Sequence, residues 1–334
     1  MTEPVRVLTR ADLERLLDIR KCIDAVESAF RQRGEGRPSP SGVLGLHVEG
    51  GGFHVKAAML DLSRPYFAAK INANFPSNPS TNGLPTIQGM LVLFDATNGR
   101  VLAAMDSMTI TTLRTAAASA VAAKHLARAG ADTAMFIGCG VQARAHVAAI
   151  SAVRELRLAT VFDIDNGKAE RFADEMRVIH PFEIRVASDL RQATSSSDIV
   201  VTSTSSTKAL IGVDHISPGT FIAAVGADGE HKQEIEPALI GASAVVVDDL
   251  DQCATIGDLH HAIEAGVVRR TDVRATLAEI VAGTKAGRFS EEEIIVFDST
   301  GVAIEDVAAA AIAYERALIA GSGQAVHLDA GHLT

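Results

Sequence analysis

The residues best suited by type and spacing to do chemistry form a glycine turn and the acid that follows it. Gly138-Cys139-Gly140 stands between an apolar run, Ala134 to Ile137, and a helical stretch carrying Ala143, Val147 and Ile150. A second apolar run, Leu158 to Phe162, ends at Asp163, 25 residues beyond Gly138. Strand, glycine turn, helix, strand and acid are the order of a dinucleotide-binding unit. Gly138 permits the tight turn, and Gly140 removes a Cβ that would keep a pyrophosphate from the amides opening the helix. Asp163 would accept hydrogen bonds from the adenine ribose hydroxyls and repel a 2′-phosphate, which favours NAD(H) and leaves NADP(H) as the second choice. A plain βα turn would account for the glycines, but not for the acid at this distance.

Two cations are the next candidates. In YFAAKINANF (66–75), Phe67, Ala69, Ile71, Ala73 and Phe75 share one face of a strand by period two, and Lys70, Asn72 and Asn74 share the other. An ammonium and two amides in a row behind an apolar face could line a polar pocket; a solvated sheet face is the plainer alternative. Arg114 lies in the first turns of an alanine-rich helix, where the helix dipole disfavours a cation, so an anionic partner is expected. A second carboxylate, Asp228, sits in the loop GADGEHK (226–232), where it could face a nicotinamide ring or close a turn on its own backbone. The 11 histidines suggest no metal site: Asp258, His260 and His261 are densest, but adjacent residues on a helix point apart.

The elements that must position these residues follow from patterning. Val5 to Leu8 reads as a strand, and Thr9 with Asp12 as a capping box opening helices on Leu13, Leu16, Leu17, Ile19, Ile23, Val26 and Phe30. GEGRPSPSG (34–42) is a loop by composition, and VLGLHV, GFHVKAAM, YFAAKINANF and MLVLFD form one sheet. A helix over 110–130 joins this part to the glycine turn. Beyond Asp163 strands are expected at 184–186, 199–202, 221–225, 244–247 and 294–298, with helices near 234–240, 258–266 and 303–320. This alternation gives an α/β fold: a Rossmann-type doubly wound parallel sheet plus an α+β domain. Ligands bind such sheets at the carboxyl ends of the strands, which singles out TSTSST (202–207), GADGEHK and STG (299–301).

Composition narrows the classes. Hydrophobic content of 47% with 22% charged residues describes a globular chain, and a net charge of −10 without a basic block argues against nucleic acid or an anionic membrane as partner. The N-terminal stretch has no signal-peptide core, and no apolar run is long enough for a membrane span. Three scattered cysteines, Cys22, Cys139 and Cys253, suit a reducing cytoplasm. AVHLDAGHLT is expected to be a mobile or packing terminus.

The segments INANFPSNP, GLPTIQGMLVLFDATNGRVLAAMDS, ITTLRTAAASA, IGCGVQARAH, AAVGADGEHKQE and FDSTGVAIED together resemble the ornithine cyclodeaminase/mu-crystallin family over about residues 5–318. The resemblance implies a homodimer with a substrate-binding and dimerisation domain over 1–118 and 308–334 and a Rossmann domain over 119–307. It implies that Lys70 and Arg114 hold a substrate carboxylate, with His54, Lys56, Asn72 and Gln88 around it, and that Lys70 and Asp228 are catalytic. For the dinucleotide it implies Thr115, Gly138, Cys139, Gly140, Val141, Gln142, Asp163, Asp165, Thr202, Ser203, Thr204, Val225, Gly226 and Ser299.

Two departures bear on the substrate. Where cyclodeaminases carry a carboxylate-binding arginine, this chain has Ser41 or its neighbours, and their ornithine-binding glutamate is replaced by His54 with Lys56 two residues on. Histidine beside lysine repels a distal ammonium. The resemblance therefore implies an NAD(P)H-dependent reductase of a small cyclic α-imino acid, Δ1-pyrroline-2-carboxylate to L-proline or a similar ketimine. The alternatives are an amino-acid cyclodeaminase releasing ammonia with catalytic NAD, an alanine dehydrogenase-like enzyme, and a nucleotide-dependent binding protein. Whether His54 or Lys56 faces the pocket is left to the strand register.

Overall fold

The computed structural model describes residues 3–328. The chain divides into two compact units, one of Met1–Ala29, Gly36–Arg114 and Val302–Thr334, the other of Phe30–Glu35 and Thr115–Gly301. The divisions fall at 114/115 and 301/302 rather than at 118/119 and 307/308. The second shift has a simple cause: the helix Ala303–Ala320 lies on the strands Gly51–Asp61 and Pro65–Asn74, so it belongs whole to the first unit.

The first unit is built on a seven-stranded sheet in the order 324–326, 5–8, 101–106, 87–95, 65–74, 51–61, 41–48. All neighbours are antiparallel except Val5–Leu8 with Val101–Asp106. Strands Val101–Asp106 and Gln324–Val326 were not expected; the second places the start of AVHLDAGHLT in the sheet, and residues 329–334 lie outside the described residues. Thr9 and Asp12 do form the reciprocal capping box, and Leu13, Leu16, Leu17, Ile23, Val26 and Phe30 are buried.

Register fixes which side chains stand together. Val43, Lys56, Lys70, Leu91 and Met105 lie opposite one another across five strands, and Gly45, His54, Asn72 and Gly89 form the next row on the same face. This face is the covered one: Tyr66, Ala68 and Lys70 are buried, whereas Phe67, Ala69 and Ile71 are half-buried or exposed. The expected pair of faces is present with the roles reversed, because the helix Ala303–Ala320 covers the polar row. His54 and Lys56, two residues apart, share this face, so a shift of register could not exchange them. Gln88 pairs with Ala73 and stands on the opposite face, which removes it from the company of Lys70.

The second unit carries an eight-stranded parallel sheet in the order 275–276, 244–247, 295–298, 221–224, 199–202, 133–137, 158–162, 183–186. Helices cover both faces, so strands such as Thr133–Ile137 and Phe221–Ala224 are buried at every residue. The first three strands of the unit run outward one way and the fourth onward the other, which puts a topological switch point between Thr133–Ile137 and Ile199–Thr202. The helix expected near 234–240 is a short strand, Gln233–Ile235, paired with Thr207–Ile211 and followed by the helix Pro237–Gly241. Among the described residues no helix is long and apolar enough to cross a membrane.

Gly89 is required by close approach: a Cβ there would stand 2.2 Å from both Asn72 Oδ1 and Ile71 O, and 2.6 Å from Ser107 Oγ. Gly89→Ala is expected to lower the unfolding free energy by about 2 kcal/mol in urea titration; an unchanged midpoint would mean that the strand can yield.

Candidate functional site

In the first unit the helix Ala303–Ala320 presents Glu305 and Asp306 in its first turn, both buried. Lys70 Nζ donates to Asp306 Oδ1 at 2.7 Å, and Arg114 Nε lies 3.0 Å from the same carboxylate oxygen. Arg114 Nη1 donates to Glu305 Oε2 at 2.7 Å. The anionic partner expected for Arg114 is thus a pair of acids nearly two hundred residues away. Burial, then the nearby Arg114 guanidinium, depress the Lys70 ammonium to about 7 despite the opposing pull of Asp306. Burial alone would raise Asp306, but Lys70 and Arg114 outweigh it and hold the acid below its ordinary value. Asp306 Oδ2 is buried without a hydrogen-bond partner. Asn72 Oδ1 accepts from Ser107 Oγ at 2.6 Å, and His54 is exposed on the same face.

In the second unit Gly138 has φ +94°, and a Cβ there would meet Ser203 O and Thr204 Cγ2, both at 3.0 Å. The turn therefore crosses the end of Ile199–Thr202 at the switch point, with Ser203 N bound to Ile137 O at 3.0 Å. Gly140 precedes the helix Val141–Val153 with no side-chain cap, faces open space where a Cβ would be, and is followed by the exposed Val141. Gln142 Oε1 is buried and without a hydrogen-bond partner. Uncapped amides and the open space beside Gly140 fit a pyrophosphate-bearing ligand at the turn.

Asp163 Oδ2 accepts from Cys139 N at 2.9 Å and from Lys168 Nζ at 2.7 Å, and Oδ1 accepts from Asp165 N at 3.1 Å. Burial tends to raise this carboxyl; the Lys168 ammonium and the two amides prevail and lower it. Burial, then Asp163, push the Cys139 thiol up to about 11. Asp165 caps the helix Asn166–Ile179 through Lys168 N, so its carboxylate is already in use. Thr115 is buried in the helix Ser107–Leu126.

The three loops at the strand ends are braced by buried acids, of which Asp258 alone stood out in the sequence, beside His260 and His261. Glu234 accepts from Thr202 Oγ1 (2.6 Å), Thr204 N (2.6 Å) and Gly226 N (2.7 Å). Asp248 accepts from Ser299 Oγ (3.1 Å) and Gly301 N (2.6 Å). Asp258 accepts from Glu234 N and Ile235 N, and Asp298 from Asp258 N and Leu259 N. Thr202 and Ser299 thus spend their hydroxyls on carboxylates, while Val225 N closes on Thr202 O at 3.0 Å. Asp228 is exposed and ion-paired with Lys232.

The reasoning that kept His260 and His261 apart is corrected: with Glu264 they place donor atoms within 4.8 Å of one another, although Glu264 is exposed and His261 Nε2 is engaged with Lys232 O. A signal for the missed acids existed. Glu305 and Asp306 open a helix that is otherwise almost wholly apolar, and Asp298 ends the apolar strand Ile295–Asp298.

A doubly wound parallel sheet with a glycine turn at its switch point defines a nucleotide-binding Rossmann protein. More narrowly, the chain belongs to the ornithine cyclodeaminase/mu-crystallin family, whose model matches residues 4–321. It is 36% identical to the alanine dehydrogenase of Archaeoglobus fulgidus over 93% of this chain and 95% of that one. It is similar in structure to the Δ1-pyrroline-2-carboxylate reductase of Thermococcus litoralis in complex with NADH and L-proline. That match has a TM-score of 0.91 and 35% identity, covering 96% and 99% of the two chains. The iminosuccinate reductase of Paracoccus denitrificans in complex with NAD+ matches with a TM-score of 0.90 and 30% identity, covering 97% and 100%.

Burial and the charge of Glu234 push Asp258 up to about 7. An acid raised on folding stabilises fully below its unfolded value, and that stability is lost as pH rises through the folded value. Unfolding free energy should therefore fall between about pH 4 and 7, by up to about 1.4 kcal/mol per pH unit from this group. Asp258→Asn should flatten that slope; an identical pH profile in the variant would refute the assignment.

Proposed function

We propose that this chain is an NAD(H)-dependent reductase of a small α-imino acid, with cyclic Δ1-pyrroline-2-carboxylate, reduced to L-proline, as the leading substrate. The observation that carries this reading is the convergence of Lys70 Nζ and Arg114 Nε on one oxygen of Asp306. Two cations distant in sequence are thereby held side by side, and a guanidinium with an ammonium is a cradle for a carboxylate. The three relatives named above all bear names of reactions at a carbon that carries nitrogen beside a carboxylate.

In this reading the first unit binds the substrate and the second the dinucleotide. Gly138, Gly140 and the amides opening Val141–Val153 would hold the pyrophosphate, and Asp163 the ribose. Bound NADH supplies the hydride. Arg114 and Lys70 fix the substrate carboxylate and so orient C2, which makes the step effectively unimolecular. Reduction needs one proton at the imine nitrogen; Asp228 is the residue assigned to it, and using it requires the ion pair with Lys232 to open. His54 and Lys56 stand on the substrate row where a glutamate would be wanted for a distal ammonium, which supports a reductase over a cyclodeaminase.

The reading includes a homodimer. The face opposite Lys70 exposes Leu44, Leu46, Phe53, Ile71 and Met90 on adjacent strands, an apolar patch suited to a second copy of the sheet. Leu46→Glu combined with Met90→Glu should shift the sedimentation coefficient to that of a monomer. A wild-type chain sedimenting as a monomer would remove the dimer from the proposal.

The direct test supplies Δ1-pyrroline-2-carboxylate with NADH and follows absorbance, and in parallel supplies ornithine with NAD and follows ammonia. NADH consumption is expected in the first, and ammonia without net NADH change in the second would overturn the reading. Arg114→Ala should raise KM for the imino acid by about tenfold to a hundredfold, far more than for NADH. Because Lys70 must stay protonated to hold the carboxylate, kcat/KM should fall as pH rises through about 7.

A further inference from the structure

The carboxylate expected to exclude a 2′-phosphate is not a bare charge. Both oxygens of Asp163 are engaged, by the amides of Cys139 and Asp165 and by the side-chain ammonium of Lys168, 2.7 Å from Oδ2. Asp163 has 7% of its side chain exposed, whereas Lys168, a long side chain with four rotatable bonds, has 45% exposed. One turn further on, Arg171 Nη1 lies 3.3 Å from where a Cβ of Gly167 would be, so a second cation stands over the same turn. Ile164, between the acid and this turn, is 98% exposed, an apolar surface on which an adenine could rest.

We propose that Lys168 is a movable counter-ion that lets the dinucleotide site accept the 2′-phosphorylated cofactor as well as the unphosphorylated one. The proposal rests on the reading of the second unit as a dinucleotide binder and is independent of the substrate. With NAD(H), the ribose hydroxyls replace the ammonium on Asp163 and Lys168 turns to solvent. With NADP(H), the ammonium stays over Asp163 and pairs with the 2′-phosphate, cancelling the repulsion that the acid alone would impose. Arg171 reinforces this from the same helix face. No covalent step is involved, and the discrimination reduces to which anion the ammonium faces.

The test uses the full chain and two probes, ADP and adenosine 2′,5′-bisphosphate, in titration calorimetry. Wild type is expected to bind both, with the bisphosphate the more salt-sensitive. Lys168→Gln should weaken the bisphosphate by about tenfold while ADP binds at least as tightly, since nothing then competes for Asp163. Arg171→Gln should act in the same direction more weakly. ADP binding without bisphosphate binding, or an equal loss of both in Lys168→Gln, would overturn the proposal while leaving the dinucleotide reading intact. Loss of both probes in wild type would overturn the dinucleotide reading itself and the proposal with it.

Discussion

A charge taken out of water must be met by another charge or by several hydrogen bonds, and the first unit is arranged around that demand. Lys70 points from a sheet into the covered side, where a polar residue is hardest to accommodate. What makes the placement tenable is the doublet Glu305-Asp306, delivered by the first turn of a helix whose remaining inward residues are mostly alanine and can approach the sheet closely. The same doublet offsets the dipole disadvantage of Arg114 in the opening turns of its own helix. Neither cation would be stable there without the acids, and neither acid without the cations.

The second unit solves the same problem by other means. Glu234, Asp258 and Asp298 accept from backbone amides and one hydroxyl. The chemistry diverges accordingly. Asp306, between an ammonium and a guanidinium, is lowered, whereas Asp258 and Asp298, buried beside other acids, are raised. Acids of one kind thus serve as counter-ions in one unit and as clasps for loop backbone in the other. Gly226 and Gly257 show how tight the clasps are: a Cβ at either position would stand well inside van der Waals contact with a carboxylate, 2.5 Å from Glu234 and 2.4 Å from Asp298.

Much of this was legible in the chain. The glycine turn with Asp163, the alternation of strands and helices, and the bounds of Ala303–Ala320 follow from local periodicity, which the tertiary structure respects. The two-residue period also separated Lys70, Asn72 and Asn74 from Phe67, Ala69 and Ile71 correctly. It could not say which face would be covered, because that depends on a helix arriving from the far end of the chain. Gln88 came only from the resemblance, and strand parity sends it to the face opposite Lys70. The bracing acids were missed for a related reason: Glu234 stands inside the short strand Gln233–Ile235 and Asp298 at the end of Ile295–Asp298, and their donors come from other segments of the chain.

Cys139 occupies the centre of the glycine turn, buried, with its thiol raised to about 11 beside Asp163. Nucleophilic attack and oxidation proceed through the thiolate, which this setting suppresses. Cys22, raised to about 12, and Cys253 are likewise enclosed. The nucleotide shelf is consequently deaf to peroxide and alkylating agents while folded, and sulfhydryl chemistry would register the loosening of the chain rather than the state of its ligand site.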